Sequence, residues 1–224
     1  MVKATHDFDG AFFARMEEKL NTAVICDVLD DFGYRCQNMS SNIRPLNMDY
    51  AIAGLAKTVL AADVYTMPEI PYEMEIAALN DIRQNEIVVA ATNRSNSNAL
   101  WGELLSTAAM LNGARGAVID GCTRDIKKIT AMGFKVFAAG INPLDSKGRS
   151  LVIDYDCDVV CGGVRVSPGD IVFGDCDGIA VIPIDIARAV IDKALEKVAK
   201  EKVFLTDLNN GLSLREAFAK HGIL

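Results

Sequence analysis

The hydrophobic positions change their spacing several times along the chain, and each change predicts an element. Phe8, Phe12, Phe13, Met16 and Leu20 recur at helical spacing behind Asp7 or Asp9, either of which can cap a helix. A second short helix is expected over 22–31, ending at Gly33. Residues 52–62 (IAGLAKTVLAA) read as a strand, 71–82 as a helix and 87–91 as a buried strand. After the polar loop 92–98, a helix over 100–111, a strand over 116–120, a loop over 121–125, a helix over 126–132 and a strand over 135–139 follow. This β-α-β alternation predicts crossover packing on a sheet. Beyond Pro143 the pattern becomes β-rich, with strands at 159–166, 171–173 and 179–182. Asp177-Gly178 reads as a hairpin turn and Gly162-Gly163 as a turn or bulge. Helices over 184–204 and 214–221 close the chain.

No linker rich in Pro, Gly or Ser interrupts this order. The expectation is one domain over 1–224, with N-terminal helices in 1–35, a mixed β/α core in 50–183 and C-terminal helices in 184–224. The 224 residues are 50% hydrophobic, 24% charged and 7% aromatic, which excludes disorder, collagen and coiled coil as the organising principle. The net charge is −7, so the chain lacks the overall basic footprint of a nucleic-acid binder. No secretory signal and no apolar run of membrane-spanning length is present, so a soluble, cytoplasmic protein is expected. The six cysteines read as free thiols, and the isolated Cys157-x3-Cys161 pair is a poor zinc motif.

Dinucleotide, P-loop, zinc-protease and nucleophile-elbow motifs are absent. One constellation carries chemistry. Asp120, Arg124 and Asp125 fall at the carboxyl end of a predicted strand, where open α/β sheets place ligands. Arg124 offers a planar fork for a carboxylate or a developing enolate oxygen. Asp125 is a hard oxygen ligand suited to Mg²⁺ or Mn²⁺, and Glu103 can join it directly or through water. The amides of Gly102, Glu103, Leu104 and Leu105 begin a helix and can cradle an anion. Spacing alone also allows a plainer reading, with Asp125 capping the next helix and Arg124 paired with a surface acid.

The run GELLSTAAMLNGARGAVIDGCTRD, with twenty residues between Glu103 and Arg124-Asp125, resembles the D-x20-R-D signature of class II pyruvate aldolases acting on 4-hydroxy-4-methyl-2-oxoglutarate. The same superfamily holds the RraA-like regulators of ribonuclease activity. The likeness continues through GDIVFGDCDGIAVIP and the C-terminal helix, and covers most of the chain from about Thr22.

The resemblance implies an α/β fold, the three-layer α/β/β/α swivelling β/β/α domain, in homotrimers or homohexamers with the site between subunits. It implies retro-aldol release of pyruvate from a 4-hydroxy-2-oxo acid, with oxaloacetate decarboxylation as a related activity and Mg²⁺ or Mn²⁺ as cofactor. Arg124 matches a substrate-binding arginine and Asp125 a metal-ligand aspartate. Glu103 departs from a family aspartate that holds water on the metal. A glutamate supplied by a neighbouring subunit is best matched by Glu201, with Glu196 second, and Asp27 matches another acidic position. Lys127 and Lys128 follow the motif and are expected to face solvent rather than to form a Schiff base. The rival expectation is a non-catalytic regulator of ribonuclease E. A methyltransferase is disfavoured by the missing glycine-rich cofactor loop.

Overall fold

The computed structural model describes residues 8–223. Asp7, one of the two caps expected for the first helix, lies outside them. The other, Asp9, accepts the Phe12 amide at 2.8 Å and starts α1 (Gly10–Lys19). Asn21 caps α2 (Thr22–Asp31) in the same way. The chain then forms β1 (Arg44–Pro45), β2 (Ile52–Asp63), α3 (Glu73–Asn80), β3 (Glu86–Ala91) and β4 (Ala99–Trp101). Next come α4 (Glu103–Leu111), β5 (Gly116–Thr123), α5 (Ile126–Met132), β6 (Lys135–Ile141) and β7 (Ser150–Tyr155). The hairpin β8 (Val159–Cys161) and β9 (Val164–Val166) precedes β10 (Ile171–Gly174) and β11 (Ile179–Ile182). Helices α6 (Ala187–Asn209) and α7 (Leu214–His221) follow.

Nine strands share one sheet in the order β1-β6-β5-β3-β2-β10-β11, with β4 beside β5 and β7 beside β2. The β2, β3, β5 and β6 neighbours are parallel, as their helical crossovers require, while β10 and β11 add antiparallel. Strand pleating sorts the side chains. Ile87, Val89 and Ala91 of β3 turn to the inner face with Ile52, Phe137 and Val172. Val88 and Ala90 turn outward against the helical layer that contains Ala109 and Ile129. At the other end of the sheet, Ile171, Phe173, Ala180 and Ile182 bury α1, α2 and α6 through Phe13, Ile25 and Val190. Both faces are thus covered, which explains why these strands are continuous apolar runs. The arrangement is the α/β fold expected above.

Several boundaries differ from the sequence reading. Residues 99–101 extend as β4, and α4 begins only at Glu103. Ala99, Leu100 and Trp101 are all buried, so no alternation separated them from the helical pattern. Strand β5 runs on through Thr123, leaving Arg124 and Asp125 as the connection to α5. Residues 159–166 are a hairpin turning on Gly162 and Gly163, both at positive φ. The short β1 and the partly exposed β7 carried no clear period. The β10–β11 turn at Asp177-Gly178 is as expected. All six cysteines are free thiols. Among the described residues, no helix is long and apolar enough to cross a membrane.

Candidate active site

The twenty-residue spacing becomes geometry through one crossover. From Glu103 the chain runs along α4, turns, and returns along β5. Short β4 lies parallel to the end of β5, pairing Trp101 with Thr123, and the Arg124 amide donates to the Trp101 carbonyl at 2.9 Å. Gly102-Glu103 and Arg124-Asp125 therefore emerge side by side at the carboxyl ends of their strands, beside the N-terminus of α4.

Asp125 does not cap α5 with its side chain, although it occupies the capping position. Its Oδ2 instead accepts the Glu103 amide at 3.2 Å, at the positive end of α4. To do so Asp125 holds a left-handed backbone, φ 60°. A non-glycine residue in that region is strained, and such strain concentrates at functional sites. Arg124 lies between two acids, with Nε 3.7 Å from Asp125 and Nη2 3.1 Å from Asp145. Glu103 is salt-bridged to Lys128, whose exposed side chain reaches back across the first turn of α5. Lys128 thus faces solvent as expected but has a carboxylate partner, while Lys127 is exposed.

These groups open onto a cavity of about 460 Å³, which Gly102, Leu104, Leu105, Ile76 and Trp101 also line. Gly102 is needed for closeness rather than for a special turn. A Cβ there would stand 2.9 Å from the Asp125 carboxylate and 3.2 Å from Arg124 Cγ. Gly102→Ala is therefore expected to displace both side chains and lower turnover at least about tenfold while the protein stays folded. Steady-state kinetics with a thermal melt checks this, and an unchanged kcat/KM would contradict it.

Three polar cavity residues escaped the sequence reading. Tyr72, also left-handed at φ 66°, precedes α3 and donates its hydroxyl to Asp145 Oδ2. Burial, then the bond to Asp145, raises the Tyr72 phenol to about 12. Glu75 is only 8% exposed, and among the described residues neither a hydrogen bond nor a salt bridge engages its carboxyl. Burial, with Asp145 nearby, lifts Glu75 to about 7 against the opposing pull of Arg124. The signal for Glu75 was available. It shares the buried face of α3 with Ala78 and Leu79, three and four residues on, and a carboxylate on an apolar stripe is unusual. Asp145 follows the carboxyl end of β6, the strand next to β5.

Other expected residues lie elsewhere. Asp120 is buried and structural, accepting the Thr92 amide and hydroxyl and the Gly162 amide. Glu201 and Glu196 sit on α6, which packs against α2, and neither lines this cavity. Asp27 pairs with Lys197.

Asp125 and Glu103 offer hard oxygen donors suited to Mg²⁺ or Mn²⁺, and Mg²⁺ commonly keeps several waters, so a single carboxylate can anchor it. Among the described residues, three metal-ligating groups converge only at Asp175, Cys176 and Asp177. There the Asp175 carboxylate is already used by the Thr22 amide and hydroxyl.

The frame is a doubly covered α/β sheet with an acid-arginine cleft at its strand ends. Residues 22–181 match the model of the RraA-like family, Aldolase/RraA, and the chain belongs to that family. It is 30% identical over 181 residues to a candidate 4-hydroxy-4-methyl-2-oxoglutarate aldolase of Halalkalibacterium halodurans, covering 81% of each chain. It is 29% identical over 204 residues to the protein DlpA of Legionella pneumophila, covering 88% of this chain but only 32% of that larger protein. A crystal structure described among novel cellulases from gut-associated microbes superposes with a TM-score of 0.84 at 30% identity, covering 90% of both chains.

Proposed function

We propose that this protein is a divalent-metal-dependent lyase. It would release pyruvate from 4-hydroxy-4-methyl-2-oxoglutarate or a related 4-hydroxy-2-oxo acid, and decarboxylate oxaloacetate. The observation that carries this reading is the convergence of Arg124, Asp125 and Glu103 on one cavity at the N-terminus of α4. The family relationship to candidate aldolases supports it.

In the retro-aldol step the C4 hydroxyl loses its proton and the C3–C4 bond breaks. The electron pair moves onto the C2 keto oxygen as an enolate, and protonation at C3 gives pyruvate. Arg124, held between Asp125 and Asp145, presents its fork to the keto oxygen and carboxylate and stabilises the charge that develops there. The open amides at the start of α4 receive the substrate carboxylate. Glu103, held by Lys128, stands beside Asp125 to accept or relay the C4 hydroxyl proton. Asp125 would hold the metal ion, which when bound supplies Lewis acidity at the keto oxygen.

Glu201 does not reach this cavity within one chain, so its role requires a neighbouring subunit in a homotrimer or homohexamer. Exposed Leu104 and Ile76 at the cavity rim suit such an interface.

The test is a coupled pyruvate assay over oxaloacetate and a panel of 4-hydroxy-2-oxo acids. EDTA is expected to silence turnover, and Mg²⁺ or Mn²⁺ to restore it. Turnover that survives the chelator overturns the metal route. Absence of pyruvate from every substrate overturns the lyase reading and favours a non-catalytic regulator of ribonuclease E.

A further inference from the structure

We propose that Tyr72 is a positioning residue for the lyase reaction, aiming the Arg124 guanidinium at the enolate oxygen by fixing Asp145. This deepens the lyase reading of the same site and rests on it.

The Arg124 side chain is about one-third exposed, and an arginine in that setting keeps rotamer freedom unless its fork is gripped. Its contact with Asp125, from Nε at 3.7 Å, is loose. The contact with Asp145, from Nη2 to Oδ1 at 3.1 Å, is closer and engages the tip of the fork. The direction of the guanidinium therefore depends on where the Asp145 carboxylate stands.

Asp145 comes from the connection between β6 and β7, and its backbone is tied to β4. The Leu144 carbonyl accepts the Ala99 amide at 2.8 Å, and Asp145 bridges to Ala99. The last torsion of an aspartate is broad, so one contact at Oδ1 leaves the carboxylate able to turn. Tyr72 supplies the second contact, donating its hydroxyl to Oδ2. Contacts on opposite oxygens set the plane of the carboxylate. Tyr72 is anchored in turn, because its carbonyl accepts the Ile76 amide at 2.8 Å as α3 begins. Tyr72, Arg124 and Asp145 lie on the connections that leave parallel strands β2, β5 and β6 at one end of the sheet. The relay is thus contained in a single chain, whatever a neighbouring subunit adds to the cavity.

The chemistry makes the aim of the fork matter most after bond cleavage. The keto oxygen of the substrate is neutral, whereas the enolate oxygen is charged. Hydrogen bonds to a charged acceptor are the stronger ones, so a misaimed fork costs the enolate more than the substrate.

The experiment compares the unaltered protein with Tyr72→Phe, Asp145→Asn and the double variant, with Mg²⁺ present throughout. Phenylalanine keeps the ring and removes only the hydroxyl. Pyruvate release from oxaloacetate or an accepted 4-hydroxy-2-oxo acid is measured. Calorimetry measures binding of pyruvate and of oxalate, a planar dianion that resembles the enolate. Tyr72→Phe is expected to lower kcat roughly tenfold and to change KM less than about threefold, the pattern of a slightly misplaced group. It should weaken oxalate by a similar factor and pyruvate by less than about twofold, with an unchanged melting temperature. In the Asp145→Asn background the same substitution should add less than about twofold, because the relay is already broken. A wild-type kcat in Tyr72→Phe overturns the proposal. So does equal weakening of oxalate and pyruvate, or an undiminished loss on top of Asp145→Asn. An unaltered protein that releases no pyruvate and binds no oxalate overturns the lyase reading itself, and the proposal with it.

Discussion

Asp125→Ala and Arg124→Ala are each expected to reduce pyruvate release by roughly 10²–10³-fold or more, the scale on which loss of a preorganised charge-stabilising group acts. Stability should change little. Both side chains are about one-third exposed, and their mutual contact of 3.7 Å is loose. Neither belongs to the buried core. Asp125→Asn sharpens the test. Asparagine tolerates the left-handed backbone and can still accept the Glu103 amide, but it carries no charge. If charge is what the reaction needs, the Asn variant should be as impaired as the Ala variant with an unchanged melting temperature. Folded, purified variants that turn over at the wild-type rate would refute the assignment.

Glu75→Gln is expected to stabilise the protein at pH 8 and to leave it unchanged near pH 4. The sign follows from where the proton resides. Glu75 in the folded protein titrates near 7, against 4.5 for an ordinary glutamate, with burial as the main cause. Below about 4.5 the carboxyl is neutral folded or unfolded, so no difference arises. Between 4.5 and 7 the unfolded chain releases its proton while the folded one retains it, and stability falls as pH rises. Above 7 the folded state carries a buried charge at a cost of about 3 kcal/mol. Gln removes that cost. Urea denaturation of both proteins at pH 4 and pH 8 measures it. A gain that is the same at both pH values would mean that Glu75 does not titrate as described.

Much of the fold was legible because burial on both faces writes itself as uninterrupted apolar strands. Ile87–Ala91 and Val118–Ile119 could scarcely be anything else. Helix α2 falls where the hydrophobic pattern puts it, and Gly33 at positive φ marks its end. Strand β4 was hidden for the opposite reason, since Leu100 and Trp101 look equally apolar in a strand or a helix. The candidate site was only half visible. Glu103, Arg124 and Asp125 share one crossover and a resemblance, so the chain itself brings them to attention. Tyr72, Glu75 and Asp145 come from separate connections and meet only when the strands are ordered in the sheet. Glu75 left a trace as an acid on an apolar helix face, while Tyr72 and Asp145 left none that periodicity detects.

The pairing of β4 with β5 has a consequence for relatives of this chain. What fixes Glu103 beside Asp125 is the hydrogen-bonded register at Trp101 and Thr123, not the number of residues between them. The intervening count is the contour length of a helix, a turn and a strand. A relative with an extra helical turn in α4, or a longer loop before β5, can keep the same acid-arginine cleft while breaking the twenty-residue spacing. A motif that tethers the two ends through the tryptophan-bearing strand, with elastic spacing between them, follows the physical constraint and should retrieve such relatives.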